Sequence, residues 1–241
     1  MSAYTPIGPE VAGTPARRPL PTTLIGRYAT LVPLDPAAHA EALYEEVRGR
    51  DEVWLYLFEP PPPNRAAFNA LLQRKVTNPD RVYLTVMDHT LGQAAGYASY
   101  LRIDEPHRSI EVGDILFTPA IQRTRAATEA MYLMAKHVFE DLGYRRYEWK
   151  CNDLNAPSKR AAVRLGFTFE GVFRQHMIIK GRNRDTAWFA MLDAEWPASK
   201  AAFERWLDPA NFDAAGRQRV SLSSMTTRFS SPPTPLLPPG R

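Results

Sequence analysis

An uninterrupted strand–helix–strand run in the middle of the chain limits the possible folds more than anything else in it. Ile110 to Phe117 reads as a strand and stops at Thr118-Pro119. From about Arg123 to Leu142 the period changes. Ala127, Ala130, Met131, Met134, Val138 and Leu142 recur at spacings of three and four, which places them on one helical face. Gly143 ends that helix, and Tyr147 to Asn152 reads as a short strand. A helix with one apolar stripe buries it against another element, so the run calls for a sheet with this helix laid on it.

The remaining segments fit around that unit. Leu24 to Leu34 reads as a first strand. Pro36 to Arg48 carries Ala37, Ala40, Leu43, Tyr44 and Val47 on one helical face. Trp54 to Glu59 is followed by four prolines, Pro60 to Pro63, which make a stiff extended segment. Asn64 then caps a helix through about Val76. Val82, Leu84 and Val86 alternate with Tyr83, Thr85 and Met87, and Gln93 to Arg102 is a second strand run across the turn at 88–92. Asn155 and Pro157 open a helix that Gly166 closes. A long hairpin follows from Phe167 to about Leu192, turning at 180–183, and a last helix spans Ala198 to Leu207. This order predicts a single α/β (α+β) domain over residues 24–210, with a mixed sheet and helices on both faces.

Both ends read differently. Residues 1–23 hold five prolines, and the chain closes on Ser230-Ser-Pro-Pro-Thr-Pro-Leu-Leu-Pro-Pro-Gly-Arg241. Residues 1–23 and 217–241 are expected to be flexible tails. The formal charge of +4 lies in them: residues 1–23 carry +1, residues 217–241 carry +4, and the middle is left at about −1. The folded part therefore offers no basic face for nucleic acid. No run of about 18 apolar residues occurs, which argues against a membrane-spanning helix. The first residues, Met1 to Arg27, lack an apolar signal region. The one cysteine, Cys151, excludes an internal disulfide and a cysteine-rich metal site, and no metal is expected. A cytoplasmic protein is the natural expectation.

The chemistry concentrates where the central strand turns into the long helix, Glu111 to Ala130. The first turn of a helix has unpaired amide N–H groups and a partial positive charge. Small residues there let an anionic phosphate approach the backbone, and Arg123 and Arg125 add charge to the same spot.

A second stretch gives this loop a meaning. Asn155-x-x-Ser158, then Leu165-Gly166-Phe167, then Glu170-Gly171, with Arg174, Gly181 and Asp185 beyond, resembles the GNAT superfamily of acyl-CoA N-acyltransferases. The closest likeness is to the branch that acetylates ribosomal-protein N-termini, the RimJ/RimL type. It covers roughly Leu24 to Trp196 and leaves out the tails. It implies a GNAT-like, largely antiparallel sheet of about seven strands, splayed at its centre. It implies acetyl-CoA as co-substrate and transfer of its acetyl group to a primary amine, either a peptide N-terminus or a small amine, by a monomer or homodimer.

The resemblance also assigns roles by position. Gln122, Arg123, Thr124, Arg125, Ala126, Ala127 and Thr128 would hold the coenzyme diphosphate, with Arg125 standing where the family pattern has its first glycine and Ala127 at the second. Leu116 and Phe117 would meet the pantetheine arm as an added strand does, and an N–H there would polarise the thioester carbonyl. Asn155 and Ser158 would meet the pantetheine and the sulfur, with Ser158 giving a proton to the departing thiolate. Glu111 is the candidate base and Asp114 a second. Met177 stands where the branch more often bears a glutamate. His176 beside it falls on the opposite face of an ideal strand. Trp54, Tyr56 and Phe58 would line the acceptor pocket, and Glu59 would recognise a cationic amine. A different class of reading is a non-catalytic acyl-CoA-binding module with the same fold. A nucleotide-binding domain is disfavoured, since neither Gly-x-Gly-x-x-Gly nor Gly-Lys-Ser/Thr occurs.

Overall fold

The computed structural model describes residues 8–226. Strands β1 (Leu24–Ile25) and β2 (Ala29–Pro33) precede α1 (Pro36–Val47) and α2 (Arg65–Val76). The meander β3 (Val82–Asp88), β4 (Gln93–Asp104) and β5 (Ser109–Phe117) leads into α3 (Arg125–Lys136). Then come β6 (Arg146–Asn152), α4 (Ala156–Arg164), β7 (Thr168–Ile179), β8 (Arg182–Leu192), α5 (Trp196–Leu207) and the short α6 (Leu222–Thr226). The eight strands form one sheet in the order β1-β2-β3-β4-β5-β6-β8-β7, and only β5 and β6 run parallel.

The sheet of eight strands fits the expected count of about seven, the extra strand arising at the start of the chain. The single first strand expected over 24–34 is two strands joined by a turn at Gly26. A carboxylate on α3 causes this. Glu129 accepts from the backbone N–H groups of Arg27, Tyr28 and Ala29 at 2.9, 2.5 and 2.8 Å. Those amides point to α3 instead of a ladder. Gly26 is required there, because a Cβ would lie 2.4 Å from Glu129 Oε2.

Helices lie on both faces. One apolar layer joins α3 and α5 to the sheet through Leu31, Val86, Tyr100, Ile110, Val112, Tyr147 and Phe189. The other joins α1 and α2 to β3, β4 and β5 through Leu43, Phe68, Leu72, Tyr83, Tyr97 and Leu116. This second layer stops at β5. The same face of β6 and β8 carries Lys150, Trp188, Thr186 and Arg184 instead.

The segments expected as tails are partly attached. Ala16 N–H donates to Glu105 O (3.0 Å) and Arg17 N–H to Leu142 O (2.9 Å). Arg18 pairs with Glu105. At the other end Leu222 and Thr226 of α6 are buried. The proline-rich last stretch lies outside the described residues. No described helix is long and apolar enough to cross a membrane.

Candidate active site

The sheet opens at its centre. The parallel pairing of β5 with β6 runs from Ser109↔Arg146 to Val112↔Trp149 and stops. Beyond it, residues 113–117 and 150–152 diverge, leaving two strand edges that face one another unpaired. The expected central splay is present. A bulge in β5 starts it. Between the pairs Tyr97↔Leu116 and Ser99↔Gly113, one residue of β4, Ala98, opposes two of β5, Asp114 and Ile115. Asp114 takes φ +49°, a left-handed conformation that aspartate tolerates better than most residues. Its Oδ2 accepts from Lys75 Nζ (2.5 Å), Arg81 Nη1 (2.9 Å) and Tyr83 OH (2.5 Å). Asp114 Oδ2 is thus engaged in holding the bulge, tied to two cations and a hydroxyl, while Oδ1 is buried without a hydrogen-bond partner among the described residues.

At the far end of the split stands the first turn of α3. Thr124 is the N-cap, and its hydroxyl accepts from Ala127 N–H at 3.2 Å. Thr124 N–H itself donates to Ile121 O, and Gln122 N–H to Thr118 O. Among the described residues no acceptor meets the N–H groups of Arg123, Arg125 and Ala126. These three amides, at the positive end of a helix dipole, form an anion cradle of the kind a diphosphate needs. The left-handed residue in this loop is Arg123 (φ +67°), two positions before the family's first glycine position. Arg125 there is the first residue of α3, with its guanidinium held between the rings of Tyr28 and Phe212 at 4.7 and 4.8 Å. Gln122 turns its amide to Phe117 O (3.0 Å) and so fastens the loop to the end of β5. Thr128 accepts both Nη groups of Arg164 at 3.2 Å. Among the described residues Arg164 has no carboxylate partner, and it lies over Trp206. Sequence reasoning missed it because its approach to α3 is a tertiary contact.

Asn155 and Ser158 flank the split from the β6 side. Asn155 caps α4 and accepts from Ser158 N–H at 3.1 Å. Ser158 Oγ accepts from Trp149 Nε1 at 3.0 Å, which leaves its own hydrogen to donate. Cys151, beside it, is buried, and burial pushes its thiol up. Glu111 lies at the closed end of the split. Its Oε2 meets Arg102 Nη1 (2.7 Å) and Lys150 Nζ (2.9 Å), and Oε1 is the oxygen free of both cations.

The aromatic segment after α1 does three different things. Trp54 is 1% exposed and packs edge-on against Phe68, within the α1–α2 layer rather than along a cleft. Tyr56 OH donates to Leu154 O (3.0 Å), across to the β6–α4 loop. Phe58 lies under the guanidinium of Arg184 on β8 at 5.1 Å. Glu59 Oε1 accepts from buried Lys75 at 3.1 Å, so this carboxylate already has a cation of the protein's own. A bulge in β7 also overturns the face expected for His176. The register jumps between Phe173↔Thr186 and Met177↔Arg184, with Gln175 at φ +51°. His176 Nδ1 therefore meets Thr186 Oγ1 at 3.0 Å, on the face of Trp188. No cluster of three or more metal-ligating side chains occurs among the described residues.

Comparisons with known proteins agree with this geometry. The family model for the acetyltransferase (GNAT) domain matches residues 29–168. A GCN5-related N-acetyltransferase from Brucella melitensis is 46% identical, with a TM-score of 0.87 over 89% of this chain and 98% of that one. A protein classed with GNAT acetyltransferases from Chromobacterium violaceum is 40% identical, with a TM-score of 0.76 over 82% of this chain and 100% of that one. An acetyltransferase from Salmonella typhimurium that modifies the N-terminal serine of ribosomal protein L7/L12 shares the fold at 18% identity, with a TM-score of 0.62 over 71% of this chain and 99% of that one. No curated protein matches in sequence. By its matched domain and by its likeness to these structures, the chain belongs to the GNAT family of acetyltransferases.

Proposed function

We propose that this chain is an acetyl-CoA-dependent N-acetyltransferase that moves an acetyl group to a primary amine, a peptide N-terminus or a small amine, by direct attack on the thioester. The observation that carries this reading is the trio of unpaired N–H groups at Arg123, Arg125 and Ala126, at the mouth of the β5–β6 split. A diphosphate fits that cradle, and the facing strand edges fit an extended arm with amide groups. Arg164 of α4, which donates to Thr128 one turn inside α3, adds a cation for the coenzyme's phosphates.

Acetyl-CoA supplies an activated acyl group; the chain supplies orientation and proton handling. Backbone N–H groups near Leu116 and Phe117 polarise the carbonyl as charge develops on its oxygen. The acceptor must be neutral to attack. An α-amine, with pKa about 7.7–8.0, needs little help, whereas a lysine side chain near about 10.4 needs much more. Glu111 takes the proton through Oε1, directly or through a water. Ser158 gives its hydroxyl hydrogen to the departing thiolate. Asn155 fixes the start of α4, and with it Ser158.

The Salmonella neighbour's action on a protein N-terminus favours a peptide acceptor within this range. The reading includes a cytoplasmic monomer or homodimer whose folded part binds neither nucleic acid nor membrane. Thiol release from acetyl-CoA, followed with a panel of amines, tests it. Release that depends on the amine is expected. Coenzyme binding without release for any amine would leave the non-catalytic binding module in its place.

A further inference from the structure

Among the described residues the side chains of Lys75, Lys150 and Arg184 are buried cations; Lys75 and Lys150 each meet two carboxylates, and Arg184 meets none. Arg184 is 7% exposed. Its Nε donates to Thr186 Oγ1 at 3.2 Å, and among the described residues no carboxylate oxygen lies within 4 Å of its nitrogens. Its surroundings come from every neighbouring element. Phe58 covers one face from the α1–α2 connection, and Thr186 lies on its own strand. Cys151, Glu111 and Arg102 are the next charged or titratable groups. Glu111 makes no ion pair with it, and Glu111 Oε2 meets Arg102 and Lys150 instead. Burial lowers the affinity of the guanidinium for its proton, yet an arginine remains charged at any working pH.

A buried cation without an acid is costly unless its partner arrives with a ligand, and the face of Phe58 offsets only part of that cost. The planar fork of an arginine matches a carboxylate with two parallel hydrogen bonds. The position fits such a role. Ladder pairing of β6 with β8 ends at Asn152↔Thr186, so Arg184 stands just past the end of β6. Its side chain lies on the sheet face that α1 and α2 leave uncovered, beside the segment expected to line the acceptor pocket.

We propose that Arg184 binds a carboxylate of the acceptor, so that the preferred acceptor is a primary amine bearing an acid group. This rests on the transferase reading above. The test compares thiol release with acceptors in matched acid and amide pairs, such as glycine against glycinamide, and a peptide beginning with glutamate against one beginning with glutamine, both amidated at the C-terminus. The assay pH lies above both amine pKa values, so that protonation of the amine does not mask the difference. The acid member is expected to lead by about tenfold to hundredfold in kcat/KM, the range for hydrogen bonds to a charged group. Arg184→Gln should bring the two members together by raising KM for the acid, and Arg184→Lys should restore part of the gap. An unchanged KM for acetyl-CoA shows that the variants are folded. Equal use of acid and amide by the unmodified protein overturns the proposal and leaves the transferase standing, even if the variant fails to fold. A preference that survives Arg184→Gln overturns the assignment to this residue. Absence of thiol release with every amine, while coenzyme A still binds, removes the transferase reading and this proposal with it.

Discussion

Lys75 and Arg184 lie on the same side of the sheet, and the protein treats them in opposite ways. Lys75 Nζ meets Asp114 at 2.5 Å and Glu59 at 3.1 Å, and it lies near the rings of Tyr83 and Tyr97. The cluster holds the bulge at Asp114, and the bulge begins the parting of β5 from β6. Arg184, as deeply buried, has one neutral oxygen and one ring. The first turn of α3 shows the same contrast in the backbone. Ala127 N–H is capped by Thr124, while the amides of Arg123, Arg125 and Ala126 are left open. Lys75 and the capped amide serve the frame, and Arg184 and the three open amides are the groups we assign to ligand atoms.

That contrast can be broken most severely at the matched cluster. Asp114→Asn keeps the shape and the tolerance for a left-handed backbone, but it removes the charge that balances Lys75 and Arg81. It should cost about 3–5 kcal/mol, read as a lower urea midpoint at unchanged m. A loss below about 1 kcal/mol would show that the cluster does not hold the bulge. Glu111→Gln should lower kcat by about 10²-fold or more while coenzyme A still binds. Full turnover in that variant would remove Glu111 as base. Thr124→Ala strips the cap from α3 and should cost about 1 kcal/mol of stability, measured by the same denaturation. The smallest stability effect belongs to Arg184→Gln, below about 1 kcal/mol, because it removes a charge that has no acid partner to strand. A loss as large as that of Asp114→Asn would mean that Arg184 belongs to the frame after all.

The sequence made the local parts of this structure legible. Asn64 and Asn155 cap the helices expected of them, since a cap needs only neighbours within one turn. The hairpin turns at Lys180-Gly181 as its residues require. What escaped depends on partners far along the chain. Glu129 splits the first strand from a hundred positions away. Lys75, Arg81 and Tyr83 sustain the bulge at Asp114. Gln175 N–H donates to Asp185 at 2.7 Å, and the bulge it belongs to turns His176 to the other face. Ideal alternation along a strand cannot foresee such insertions. Trp54 was visible as an aromatic, but its burial against Phe68 is decided by the packing of α1 on α2.

The most direct trial is an amide-resolved titration. Coenzyme A is added to isotopically labelled protein while backbone N–H resonances are followed. The largest shifts should fall on Arg123, Arg125 and Ala126, with smaller ones along residues 113–117 and at Ser158. Saturating coenzyme A that leaves those three resonances in place, or that moves a different part of the molecule instead, would contradict the account.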